Sequence, residues 1–342
     1  MPIDPFDRLR ANAIAAEAGY SAPYLYLLDD EAQASRSTQH PTAHTRRKLD
    51  QVSRAIRSGY GQGRGDTYQP WIRIRKNFSS PTSYQVFDSV GLNARNHHFL
   101  SQLEFHTALL ISYLGAAELR ECLPLWPFEH PHPETGLDDD LDLWHDPAPG
   151  LLEIAKSAGI EHGNFVGTTV PYIASIDLMF RVRHARKWRL FGISCKPKDI
   201  TEQSTRAQER IELDRLYCTA VGAHHHHEDG SSFNTELILQ LRSLRPTVSF
   251  LRAHQRTNRL QDFVGKFNDY ANDRFVSDAA LAAGQEVGLH RDDAFAFFRL
   301  GVWLHLIDID LTQRVQMRKP IKRGGASVIH ALKTHYLGGN HA

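Results

Sequence analysis

Cysteine is scarce. Cys122, Cys195 and Cys218 are the three in 342 residues, too few and too scattered for a disulfide framework or a zinc site, so a reducing cytoplasm is expected. Long apolar runs are missing too, and no stretch approaches the ~20 residues that a membrane-spanning helix needs. The opening Met1-Pro2-Ile3-Asp4-Pro5 carries neither the basic nor the apolar region of an export signal. Neither sign of charge dominates: 40 Lys and Arg against 39 Asp and Glu leave a net charge of +1. That balance excludes a protein that coats a polyanion through bulk charge, but not a nucleic-acid enzyme, because local fields do the binding. Internal repeats are absent.

What charge there is comes in patches. Basic clusters occur at Arg46-Arg47-Lys48, Arg73-Ile74-Arg75-Lys76, Arg181 to Arg189, and Arg318 to Arg323, offset by an acidic stretch from Asp138 to Asp146. Such clusters read first as solvated faces. The cluster at 181–189 is the exception, since as the turn between two strand-like runs it is expected beside the candidate site those runs form.

Length and apolar content suffice for two compact domains. A helical pattern covers 4–19, a polar linker 35–44, and a short helix 46–57. Gly59 to Gly65 lacks the Lys-Ser/Thr ending and the preceding strand of a phosphate-binding loop, and reads as a flexible connector. Leu100, Leu103, Thr107, Leu110, Ile111 and Leu114 predict a helix over 97–114. Segment 126–165 reads as loop with a short helix near 151–157. Helices are expected over 204–219, from Asn234 or Thr235 onward, over 247–271 and over 291–306. His224 to His227 could be metal ligands but read first as a structural or loop segment, since four adjacent side chains cannot all point one way. Residues 308–312 and 315–318 suggest a closing hairpin. Helices ending in such a hairpin suggest a winged-helix domain. The tail past Gly324 is expected to be poorly ordered.

The strand-like runs are Ala174 to Phe180 and Leu190 to Pro197. Alternation places Ala174, Ile176, Leu178 and Phe180 on one face and Asp177 on the other; in the second run Ser194 and Lys196 share a face. Paired as a hairpin, they bring a carboxylate and an ammonium to one spot on an apolar sheet, a pairing suited to holding Mg²⁺ beside a phosphate. Glu104 has two readings: a third member of that site, or the far end of a capping box, Ser101-Gln102-Leu103-Glu104.

The order Glu104, Asp177, Lys196 resembles the active-site pattern of restriction-endonuclease-like nucleases. Arg57 to Trp71, Asn96 to Glu104, Leu119 to Leu125, Glu209 to Tyr217 and Ile309 to Val315 resemble, in order, segments of the TnsA family, the endonuclease subunits of heteromeric cut-and-paste transposases. The likeness runs from about residue 50 to 323. It implies an α/β fold: an extension at 1–45, a restriction-endonuclease-like catalytic core at 46–200, a mainly helical winged-helix-type domain at 201–325, and a tail at 326–342.

The resemblance also implies an activity. TnsA-like subunits cut the 5′ strand at transposon ends, alongside a TnsB-like DDE transposase and a TnsC-like AAA+ ATPase. Glu104, Asp177 and Lys196 match the family's catalytic positions. Mg²⁺, with Mn²⁺ as substitute, would be held by Glu104, Asp177 and the backbone carbonyl of Cys195. Ser194 stands where the family usually has Gln or Glu, and a hydroxyl is a weaker, shorter ligand. DNA contacts are expected from Arg181, Arg183, Arg186, Lys187 and Arg189. A bacterial, nucleoid-associated protein and no membrane partner complete the expectation. A scaffold that binds DNA ends without cutting them is the alternative.

Overall fold

The structure is a computed structural model that describes residues 42–75, 81, 83–87, 93–137, 145–184 and 187–338. Most of the N-terminal extension, the heart of the acidic stretch, Arg186 and the last four residues lie outside the described residues.

Helix α1 (Ala43–Arg57) opens the described chain, capped by the Thr42 hydroxyl. The glycine loop after it is tied down rather than flexible. Gly61 N–H donates to Gln69 O (2.6 Å) and the Gln62 amide to Ile56 O (2.8 Å). Gly61 has φ +76°, and a Cβ there would sit 2.4 Å from Pro124 Cγ, so the position requires glycine. A hairpin follows, of β1 (Tyr84–Phe87) and β2 (Asn96–Phe99).

Next come α2 (Gln102–Tyr113), β3 (Ala117–Leu125), α3 (Leu151–Ala158), β4 (Ala174–His184) and β5 (Lys187–Cys195). The single helix expected over 97–114 is thus a strand and a helix. Ser101 ends the strand and starts the helix: its hydroxyl accepts from Glu104 N–H.

Past residue 196 lie α4 (Lys198–Gln203), α5 (Thr205–Ala220) and β6 (His224–Glu228). The main sheet runs β3-β4-β5-β6, antiparallel except for the parallel β5/β6 pair. The four histidines expected in a loop therefore form an edge strand, and alternation resolves their crowding by sending neighbours to opposite faces. The sheet takes this strand from beyond residue 200, where the sequence suggested a domain boundary.

The rest is helical: α6 (Thr235–Leu244), α7 (Val248–His254), α8 (Asn258–Tyr270), α9 (Val276–Glu286), α10 (Arg291–Trp303) and α11 (Gly325–Leu337). Residues 308–318 make turns, not a hairpin, and no strand follows β6 among the described residues. Asp310 holds that turn by accepting from the Thr312 N–H and hydroxyl, a local bond that replaces a strand ladder. The winged-helix expectation therefore lacks its wing. The expected loose tail is instead α11, anchored by buried Tyr336 and Leu337.

Each face of the sheet has its own core. Leu178, Phe180, Phe191, Ile193 and Cys195 pack with α2 and the C-terminal helices. Ile176, Met179 and Leu190 pack with Leu213, Tyr217 and Cys218 of α5. Gly192 lies under α5, and a Cβ there would meet Cys218 Sγ at 2.5 Å and Ile176 Cδ1 at 2.6 Å. Gly192→Ala is expected to cost about 1–3 kcal/mol through overpacking, read as a lower urea midpoint at unchanged m-value. Among the described residues no helix is long and apolar enough to cross a membrane.

Candidate active site

Ile176 and Leu178 point into different cores, which strict alternation forbids. Strand β4 therefore switches faces at Asp177, and the single apolar face read from the sequence is broken there. On β3 the register sets Glu121 against Leu178 and Leu123 against Ile176. Cys122 stands between them, opposite Asp177, with φ +47°, a conformation costly for a side-chain-bearing residue. The two irregularities coincide, and they free the Asp177 carboxylate from the regular pleat. Its Oδ2 accepts the Cys195 N–H at 2.7 Å.

Glu104 enters from the first turn of α2 and is buried. Its capping role at the helix start is realised. Its Oε2 accepts the Leu100 N–H (2.8 Å) and its Oε1 the Ser101 hydroxyl (2.9 Å), so it closes the helix start. Burial and then the Asp177 charge push its carboxyl up to about 8, partly offset by those hydrogen bonds and by Lys196. Burial likewise raises Asp177, against the Cys195 N–H, Lys196 and Arg210. The structure thus brings Glu104, Asp177 and Lys196 into one electrostatic neighbourhood, from three elements far apart in sequence.

Lys196, half-buried just past β5, donates its backbone N–H to Glu228 O (3.0 Å), while His227 Nε2 lies 3.1 Å from its carbonyl. Ser194 is directed elsewhere. Its buried hydroxyl donates to Asp214 Oδ2 (2.8 Å) on α5 and lies 2.9 Å from His225 Nε2. With the single serine proton given to Asp214, His225 supplies the proton of the second bond. Burial lowers the His225 imidazole to about 4 and raises the Asp214 carboxyl to about 6, the latter opposed by Arg210.

Sequence reasoning missed Asp214, Arg210 and His225. The i,i+4 spacing of Arg210 and Asp214, which form an ion pair, was readable as a helix pair. That α5 would aim the pair at Ser194 was not.

The basic turn is not beside this site. Arg183 lies six positions past Asp177 on β4, about 20 Å along a strand at ~3.3 Å per residue. Arg181 stacks on Trp188 with its guanidinium carbon 4.2 Å from the ring centroid. Arg183 and Lys187 are exposed and Arg189 half-buried, while Arg186 lies outside the described residues. Any DNA contact by this set is made at the far end of the hairpin.

The donor chemistry suits a hard divalent cation. Two carboxylates with raised proton affinity, repelling each other in a partly desolvated setting, are what such an ion relieves. The thiol of Cys195 lies 3.6 Å from Thr107 Oγ1, and burial keeps it protonated, so the ionisable donors offered here are oxygens.

No protein-family model matches the chain. Over 168 residues it is 28% identical to the Transposon Tn7 transposition protein TnsA of Escherichia coli, an alignment covering 49% of this chain and 52% of that protein. The chain thus spans about half the length of this curated relative. The likeness to TnsA read from the residues is shown by this alignment.

Proposed function

We propose that the chain is a Mg²⁺-dependent DNA endonuclease subunit of a transposase, cutting the 5′ strand at transposon ends. The observation that carries this reading is the convergence of Glu104, Asp177 and Lys196, whose charges act on one another. The similarity to a transposition protein supports it.

Asp177 and Glu104 would hold the cation, with the Cys195 carbonyl as a third oxygen. Bound there, Mg²⁺ supplies charge stabilisation at the scissile phosphate and acidifies a water. The Cys195 N–H keeps the Asp177 carboxylate oriented through Oδ2. Burial of Glu104 excludes bulk water around it and strengthens its charge interactions in the site. The Lys196 ammonium stabilises negative charge developing on the phosphate. Partners on this reading are transposon-end DNA, a TnsB-like DDE transposase and a TnsC-like AAA+ ATPase, with Mn²⁺ able to replace Mg²⁺.

The commitment of the Ser194 hydroxyl to Asp214 and His225 favours a second reading, a scaffold that binds ends and bridges the other subunits without cutting. One assay separates the two. End-labelled transposon-end duplex is incubated with the full chain, both partners and titrated Mg²⁺ or Mn²⁺. Cation-dependent nicks confined to the 5′ strand are expected. Intact DNA with both cations and a competent strand-joining partner selects the scaffold. Lys196→Ala is expected to lower the nicking rate about 10²–10³-fold, the effect of removing one charge-stabilising donor, with DNA affinity nearly unchanged.

A further inference from the structure

We propose that His226, Glu228 and His335 form a zinc site that staples α11 to the edge of the main sheet. His226 and Glu228 stand two residues apart on β6 and share a face. His335 comes from the last turn of α11, more than a hundred residues later. One ligand atom from each lies within 4.8 Å of the others. His226 Nε2 is 3.8 Å from Glu228 Oε2, and it is buried with no hydrogen-bond partner. A buried imidazole nitrogen without a partner, facing a carboxylate and a second imidazole, is an arrangement that a metal satisfies.

The surroundings support the carboxylate as a ligand. Glu228 is buried, with Oε1 held by the Gly230 N–H (2.6 Å) and Oε2 by the Tyr336 hydroxyl (2.5 Å). The Ser232 hydroxyl lies 3.2 Å from Oε2. Such outer contacts orient metal-binding carboxylates. Zinc bonds of about 2.0–2.2 Å need ligand atoms some 3.3 Å apart in a tetrahedron, so a shift of about 1 Å closes the site. His335 is exposed and free to make it. Water takes the fourth position. Two imidazoles in three donors select zinc over Mg²⁺, which demands octahedral oxygen.

Among the described residues, the other mixed cluster, His132, Glu134 and His145, is a poorer host. Both ring nitrogens of His132 are engaged, Nε2 with Val221 O (3.0 Å) and Nδ1 with the Glu134 N–H (3.1 Å). The β6 site also has a structural consequence. Glu228 O accepts the Lys196 N–H, so the strand that carries two ligands also holds the backbone of Lys196.

The test uses the full chain, freed of any affinity tag and stripped with a chelator. Zinc is titrated against a chromogenic competitor, and the thermal midpoint is followed in parallel. One zinc per chain and a raised midpoint are expected, with no midpoint change from Mg²⁺ at the same concentration. His335→Ala, an exposed position that leaves folding intact by circular dichroism, is expected to weaken zinc binding at least about tenfold. His330→Ala, on the same helix, is expected to leave it unchanged. Absent zinc uptake, unchanged affinity in His335→Ala, or loss of zinc in His145→Ala instead would each overturn the proposal.

Discussion

Asp177→Asn is expected to abolish strand cleavage, by about 10³-fold or more, while folding and end binding persist. A loss of that size corresponds to about 4 kcal/mol of transition-state stabilisation, within what a metal ligand supplies. The asparagine keeps an oxygen acceptor for the Cys195 N–H, so the β4/β5 contact survives. Asp177→Ala removes the acceptor as well, and the orphaned N–H adds about 1–3 kcal/mol of destabilisation. Comparing the two by nicking rate and by urea midpoint separates chemistry from folding. Undiminished cleavage by Asp177→Asn, with partners and Mg²⁺ present, rejects the site.

Glu104 adds a pH dependence. Its folded carboxyl titrates near 8, above its ordinary 4.5, so the metal-free native state binds the extra proton. Stability of that state therefore falls as pH rises from about 4.5 through 8. Glu104→Gln is expected to stabilise the metal-free protein at pH 8–9, by something like 1–2 kcal/mol, while cleavage is lost. The midpoint with chelator present, measured at pH 6 and pH 9, reads the effect: a gain at pH 9 that shrinks at pH 6.

The second large effect lies behind the site, at Glu121. This fully buried carboxylate takes two bonds from the Arg95 guanidinium (2.7 and 2.6 Å), the His98 N–H at 3.0 Å, and a contact with His97 Nδ1 at 3.2 Å. It joins β3 to β2. Burial opposes its charge, but Arg95 and His97 outweigh that and hold it near 2. A depressed carboxylate stabilises fully above its unfolded value near 4.5, and that stability is lost as pH falls toward 2. The shift corresponds to about 3 kcal/mol. Glu121→Ala leaves the buried Arg95 charge without its counter-charge and is expected to cost about 3–5 kcal/mol at pH 7. Denaturant midpoints across pH 2–7 check both: the wild type loses stability on acidification, and the variant starts lower with a flatter profile. A variant as stable as wild type at pH 7 would show that the cluster is not what joins the strands.

Much of the architecture was legible locally. Caps marked the helix starts: Asn234 accepts the Leu237 N–H as its place before an apolar run suggested. The strand pattern at 174–180 fell within β4, and that at 190–197 overlaps β5, which ends at Cys195. Two of the misreadings share one cause. His224 to His227 have a polar pattern and residues 325–337 read as a terminal tail, yet both are ordered by distant partners, β5 for the first and Glu228 for the second. The closing hairpin failed for the opposite reason, since Asp310 satisfied its own turn locally.

By itself the chain's sequence determined which chemistry was present, two acids and a lysine on predicted elements, because side-chain identity and short-range periodicity are local properties. The tertiary structure alone decided that β4 changes faces at Asp177, that α5 claims Ser194 through Asp214, and that the basic turn lies about 20 Å along β4 from Asp177. Those outcomes depend on which surfaces meet across the sheet, and packing between elements distant in sequence leaves no periodic trace along the chain.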